Sequence, residues 1–429
     1  MRFPRPFPGA LALVLALPSA ALPRQAPAGS AASPTAGPAP VASPAALAVP
    51  AAPAVTEAPA DFSADARLLF DVVTCPDGAA LPPKLDAGTW RAYCKRQKKA
   101  MAKYRDEYLP KASAFLAKLR PADLPTTVVY PFGGGDLLSA LTTYPDARDV
   151  TTLSLEHAGD PRRLGNIADA AALEESLETI RSTSSGLLYA NDSKTENLMK
   201  GQRGEIPGQL AFFMIGLAVH GYEPVSLRFF RIERDGSLHY LTASEIREAD
   251  EKGTARLLRG QWTAPDFSPA FSNSEIVFVR KGADPAAAAR VHRHIAADLS
   301  DPAVAKHPGV LRFLQSKGRV AAMTKAASYL LWRDDFSRVR DYLIAQMDFM
   351  ISDSTGIPPQ YLAKTGLVQE TYGRFEKSFL EASEAHNQAF VELWSSQPRR
   401  KMPIRYGYID GSADNNVHLL VTRKAPVKM

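Results

Sequence analysis

A chain of 429 residues with 45% hydrophobic content is long enough for two ordinary domains or one large one, and rich enough for a real core. Its formal charge is +6, to which Arg2 and Arg5 contribute, and the densest cationic run is CKRQKK at 94–99. So dilute an excess does not track a phosphate backbone; the run reads as a solvated helix face, and no nucleic-acid partner is expected.

In chain order, MRFPRPFPG is short and basic, ALALVLAL is apolar but too short to span a bilayer, and PSAAL offers small residues for cleavage near Ala20 or Ala21. Residues 1–21 therefore read as a signal peptide. No Cys follows the apolar run, which argues against a lipid anchor. Residues 22–60 are nearly all Ala, Pro, Ser, Thr and Val, with nine prolines, and read as a disordered linker or tether. The rest, 61–429, is expected to form a single large α/β domain with a helical part over 61–120. Export gives Cys75 and Cys94 a meaning, because in an oxidising compartment they should pair. A loop of that size is worth about 3 kcal/mol in the chain-entropy view.

WRAYCKRQKKAMAKYRDEYL carries Trp90, Tyr93, Met101, Tyr104 and Tyr108 at helical spacing; Pro110 interrupts, and KASAFLAKL continues. LPTTVVYPF reads as a buried strand, GDLLSALTTYP as a short helix and DVTTLSLEHAGD as a second strand, a βαβ unit over 125–156. ADAAALEESLETIRS and IPGQLAFFMIGLAVHG read as helices, the second ended by Gly221. VSLRFFRIERDGSLHYL reads as a hairpin turning at Asp235-Gly236, and SEIVFVRKG as a strand. TKAASYLLWRDDFSRVRDYLIAQ reads as one long amphipathic helix with Lys325 at its start, followed by the strand MDFMIS and the turn DSTGIPP. IRYGYIDGSADNNVHLLVTRK closes the chain as two strands around a polar turn. The expected fold is three-layer α/β, with a mixed sheet covered by helices, a Rossmann-like βαβ start and a C-terminal antiparallel strand pair.

Candidate site residues gather at predicted strand ends. Gly133, Gly134 and Gly135 follow the first strand, where glycine permits positive φ and close approach of a ligand, and the next helix aims its amides at the same space. Glu156 ends the second strand, where a nucleotide-binding fold places a ribose-binding acid. The likeness to a Rossmann or methyltransferase first motif is weaker than the geometry suggests: the spacing is GGG, and Tyr130-Pro131 occupy the place of the usual acid. Asp136 and Asp353 each follow a strand, so both can face one sheet edge as an acid–base or ligand-holding pair. Each also fits a local role, Asp136 as a helix N-cap and Asp353 with Ser354 in a turn. Lys325 can pair with one of them or stand exposed in a first helical turn. His292 and His294, placed on a helix, face different ways and make no metal pair. No metal or cofactor motif is read.

YPFGGGDLL, LSLEHAGDP, KAASYLLW, SDSTGIPP, TYG, RYGY and DNN, in this order over about residues 120–422, resemble a family of uncharacterised exported bacterial proteins. The chain departs from it at His157-Ala158, where the family has Glu-Pro. The resemblance implies no established activity; it implies that the polar residues of these motifs cluster. The expectation is an exported protein binding a small or cell-envelope ligand in a strand-end cleft lined by Tyr130, Asp136, Glu156, Lys325, Asp353 and Ser354. The alternatives are a hydrolase or diverged transferase with an Asp acid or base, and a non-catalytic scaffold held by the Pro/Ala tether.

Overall fold

Val128, Val129 and Tyr130 are fully buried. A strand with both faces apolar belongs inside a sheet covered on two sides, and that is where the chain puts it. The computed structural model describes residues 57–82, 84–167, 169–190, 206, 208–252, 268–325, 327–353, 355–373, 386–406 and 418–425. The strands are β1 Thr127–Pro131, β2 Asp149–Ser154, β3 Tyr222–Ile232, β4 Leu238–Tyr240, β5 Asn273–Arg280, β6 Arg290–Ala296, β7 Val320–Thr324, β8 Met347–Ser352, β9 Leu367–Gly373 and β10 His418–Lys424. They form one sheet in the order β4-β3-β5-β6-β2-β1-β7-β8-β10-β9. The centre, β6-β2-β1-β7-β8, is parallel. Both flanks are antiparallel.

Alternation along the strands makes two cores. Val128, Tyr130, Ala321, Met323, Phe349 and Ile351 face one, packed with apolar residues of the helices Ser63–Thr74 and Gly208–Val219. Val129, Val320, Ala322, Met347 and Met350 face the other, under the helices Gly309–Ser316 and Ser337–Gln346. The fold is therefore mixed α/β in three layers, as expected. The β1–β2 pair is parallel, with the short helix Leu137–Thr143 between its strands.

In the N-terminal part, the helix Ala87–Lys103 runs through a π-helical turn, Tyr104–Tyr108, into Leu109–Ala117. Pro110 sits in the first turn of the last segment, where a missing amide costs little. Cys75 and Cys94 are joined, with Cα atoms 5.5 Å apart, tying the end of the Ser63–Thr74 helix to the next. The chain divides into units Met1–Val55 and Thr56–Met429. The second begins ahead of the boundary expected at 61, because Pro59 bridges Thr242 and the Ala60 amide donates to Leu241 O at 2.8 Å. Residues 1–56, with the signal peptide and most of the linker expectation, lie outside the described residues.

Two expectations are corrected. The long helix over 324–345 does not form: Val320–Thr324 is β7, Ser328–Trp332 is a 3-10 turn, and α-helix resumes only at Ser337. All five residues of β7 are buried between two parallel neighbours, and that packing overrides helical spacing. His292 and His294 lie on β6, not on a helix, and so share one face. At the C-terminus an antiparallel pair is present, β9 with β10, and β10 also pairs antiparallel with β8; the other strand expected beside β10 falls largely on residues that are not described. Residues 407–417 lie outside the described residues.

Candidate functional site

The chain builds β1 and β2 on one side, comes back through β6, and then lays β7 on the far side of β1. The strand order reverses between β1 and β7. Crevices at such reversals, beyond the carboxyl ends of parallel strands, are where open α/β sheets hold ligands. Asp136 follows β1 there and Lys325 follows β7; Glu156 follows β2 and Asp353 follows β8. These four charged side chains are all at most 1% exposed.

Lys325 Nζ donates to Asp136 Oδ2 at 3.2 Å and to Ser139 Oγ at 3.0 Å. The Tyr130 hydroxyl donates to the same Oδ2 at 3.1 Å, and the Ser139 amide donates to Asp136 Oδ1 at 3.0 Å. Asp136 is thus both the N-cap of its helix and the partner of a buried cation. Ser328 donates to Asp353, and the Thr355 hydroxyl lies 2.9 Å from Ser328 Oγ. With the serine proton already committed, the threonine is the donor of that second bond. Tyr406 links the two groups. Its ring centroid is 5.8 Å from Lys325 Nζ. Burial pushes its hydroxyl well above the ordinary range, and Asp136 and Asp353 push the same way, which puts both acids within electrostatic reach of one hydroxyl.

The glycine turn is shaped by the protein's own side chains. A Cβ on Gly133 would fall 2.6 Å from the Tyr130 ring, and one on Gly135 would fall 2.6 Å from Gln209 Oε1. Gly134 holds φ +48, and Phe132, which is not glycine, holds φ +62. The helix amide that a phosphate would seek binds Asp136 instead. At the same edge Leu155 and Tyr329 stand 45% and 46% exposed, and Phe132 packs edge-on against Phe336 at 5.7 Å.

Beside the site, a neutral hydrogen-bond chain crosses β2 and β6. His294 Nε2 donates to Glu156 O at 2.7 Å, so its Nδ1 accepts from Thr152 Oγ1 at 3.1 Å. Thr152 in turn accepts from His292 Nε2 at 3.0 Å. These tautomers follow from the bonding pattern. Burial lowers His292 well below its ordinary value and His294 to about 4. His157, also lowered to about 4 by burial and then by His294, bonds Ser272 Oγ at 2.5 Å.

Of the predicted residues, Tyr130, Asp136 and Lys325 meet directly, Gly133, Gly134 and Gly135 form the turn between Tyr130 and Asp136, Asp353 is linked to them through Tyr406, and Glu156 stands at the end of the neighbouring β2; Ser354 lies outside the described residues. Ser139, Ser328, Thr355, Gln209 and Tyr406 were not anticipated. Ser328, Thr355 and Tyr406 lie inside segments already singled out, KAASYLLW, SDSTGIPP and RYGY, whereas nothing in the local pattern marks Gln209. Among the described residues no group of His, Cys, Asp and Glu is arranged to hold a metal, and no helix is long and apolar enough to cross a membrane. No family model, curated protein or solved structure matches the chain.

Proposed function

We propose that this protein binds a small polar ligand at the carboxyl edge of the β1–β7 pair. The observation that carries the reading is the Lys325–Asp136 ion pair, fully buried where the strand order reverses. A buried pair of this kind adds little net stability over well-packed apolar side chains. Recognition accounts for it better than folding does. Buried carboxylates beside an ammonium at one sheet edge suit a ligand that carries amines, hydroxyls or amides. A hydrolase or transferase reading has less support, because Asp136 already accepts from Tyr130, Ser139 and Lys325 and is poorly placed to act as a base.

The basic and apolar N-terminal stretch, the likeness to exported bacterial proteins and the Cys75–Cys94 disulfide support export, which points to a ligand from the cell envelope or its surroundings. The test is a thermal-shift screen of amino acids, amines, sugars and short peptides against the wild type and the double variant Asp136→Asn/Lys325→Met. The asparagine keeps the helix cap while both charges are lost. At least one compound should raise the melting temperature of the wild type and leave the variant unmoved. A screen that moves neither protein, or both equally, overturns the proposal.

A further inference from the structure

Gln209, in the first turn of the helix Gly208–Val219, is fully buried, yet neither its Oε1 nor its Nε2 meets a hydrogen-bond partner among the described residues. It belongs to the site edge. Its Oε1 lies 2.6 Å from where a Cβ on Gly135 would stand, and the amide of the next residue, Leu210, donates to Ala158 O at 3.2 Å. The side chain thus stands between the turns that follow β1 and β2, the turns that carry Asp136 and Glu156. A buried amide without partners costs stability that a leucine of similar size, set beside Phe212, would not.

Resting on the ligand-binding reading above, we infer that Gln209 is the specificity-determining residue of the site. Its carbonyl and amino groups, held side by side in one plane, recognise a planar edge of the ligand that offers one donor and one acceptor. That chemistry occurs in a primary carboxamide and on the edge of a nucleobase such as adenine.

The experiment measures binding of three probes to the full chain by calorimetry: alaninamide, alanine methyl ester and adenosine. The ester keeps the charge and the carbonyl of the amide but carries a methoxy group, larger by one methyl, where the amide has its N–H donors. The wild type should bind alaninamide at least about tenfold more tightly than the ester, since a site built around a hydrogen bond rejects the analogue that lacks it. Gln209→Leu should erase that preference while melting within about 2 °C of the wild type or higher. Adenosine binding that is lost in Gln209→Leu would support the same donor–acceptor reading and assign the nucleobase as its source. Equal binding of amide and ester to both proteins, lost in Asp136→Asn/Lys325→Met, overturns the role of Gln209 and leaves the site reading standing. No binding of any probe to the wild type overturns the inference, while the wider screen still decides the site. A fall in melting temperature of more than about 5 °C in Gln209→Leu also overturns it, because the amide would then be structural.

Discussion

Removing the ammonium of Lys325 alone leaves the Asp136 carboxylate stranded at zero exposure with only Tyr130 and the Ser139 amide to satisfy it. Breaking one side of a buried pair costs about 3–5 kcal/mol, whereas removing both charges together is close to neutral. Lys325→Met should therefore lower the urea midpoint sharply, and adding Asp136→Asn should restore most of the loss. If the double variant unfolds as readily as the single one, the pair is not a coupled unit. At this scale the sequence was partly legible. A polar residue directly after a strand of β-formers is visible as a strand-end candidate, which is how Asp136, Glu156 and Asp353 were found. Lys325 was chosen too, but as a helix opener, because Ala, Leu and Tyr spacing in KAASYLL mimics a helical face. Gln209 had no signal, since an amide before an apolar run looks like an ordinary helix start.

At the scale of elements, β9 shows how an exposed edge is managed. Gln397 accepts from the Thr371 amide at 3.0 Å and donates to Gln369 O at 2.8 Å. Arg400 donates to Thr371 O at 3.2 Å and receives the Gly373 amide on its own carbonyl at 2.8 Å. These groups occupy the positions that another strand would take and blunt an aggregation-prone edge. The variant Gln397→Ala/Arg400→Ala should gain dimers or larger species in light scattering as concentration rises; a strictly unchanged mass would show that the edge is protected otherwise. The elements themselves were read unevenly. β1, β2, β5 and β8 are dense in β-branched or apolar residues and were found. β6 was missed because its inward residues are His292 and His294, polar by type yet buried in a Thr152-centred network.

For the whole molecule, pH is the sharpest lever. His294 and His157 are held near 4 in the folded state, against about 6.5 in the unfolded chain, so the unfolded state binds more protons between those values. Stability is then fully present above about pH 6.5 and falls as pH drops towards 4, by about 2 kcal/mol at pH 5 for one such histidine. Urea midpoints at pH 7 and pH 5 check this; a midpoint that holds steady or rises at pH 5 contradicts it. Composition and periodicity by themselves determined the α/β class, the paired cysteines and the positions of most strand ends, because hydrophobic alternation and turn residues are local properties of the chain. Only the tertiary structure decided that β7 returns to the far side of β1 and brings Lys325 against Asp136. They stand far apart in sequence, and no local pattern encodes which strand a distant segment will pair with.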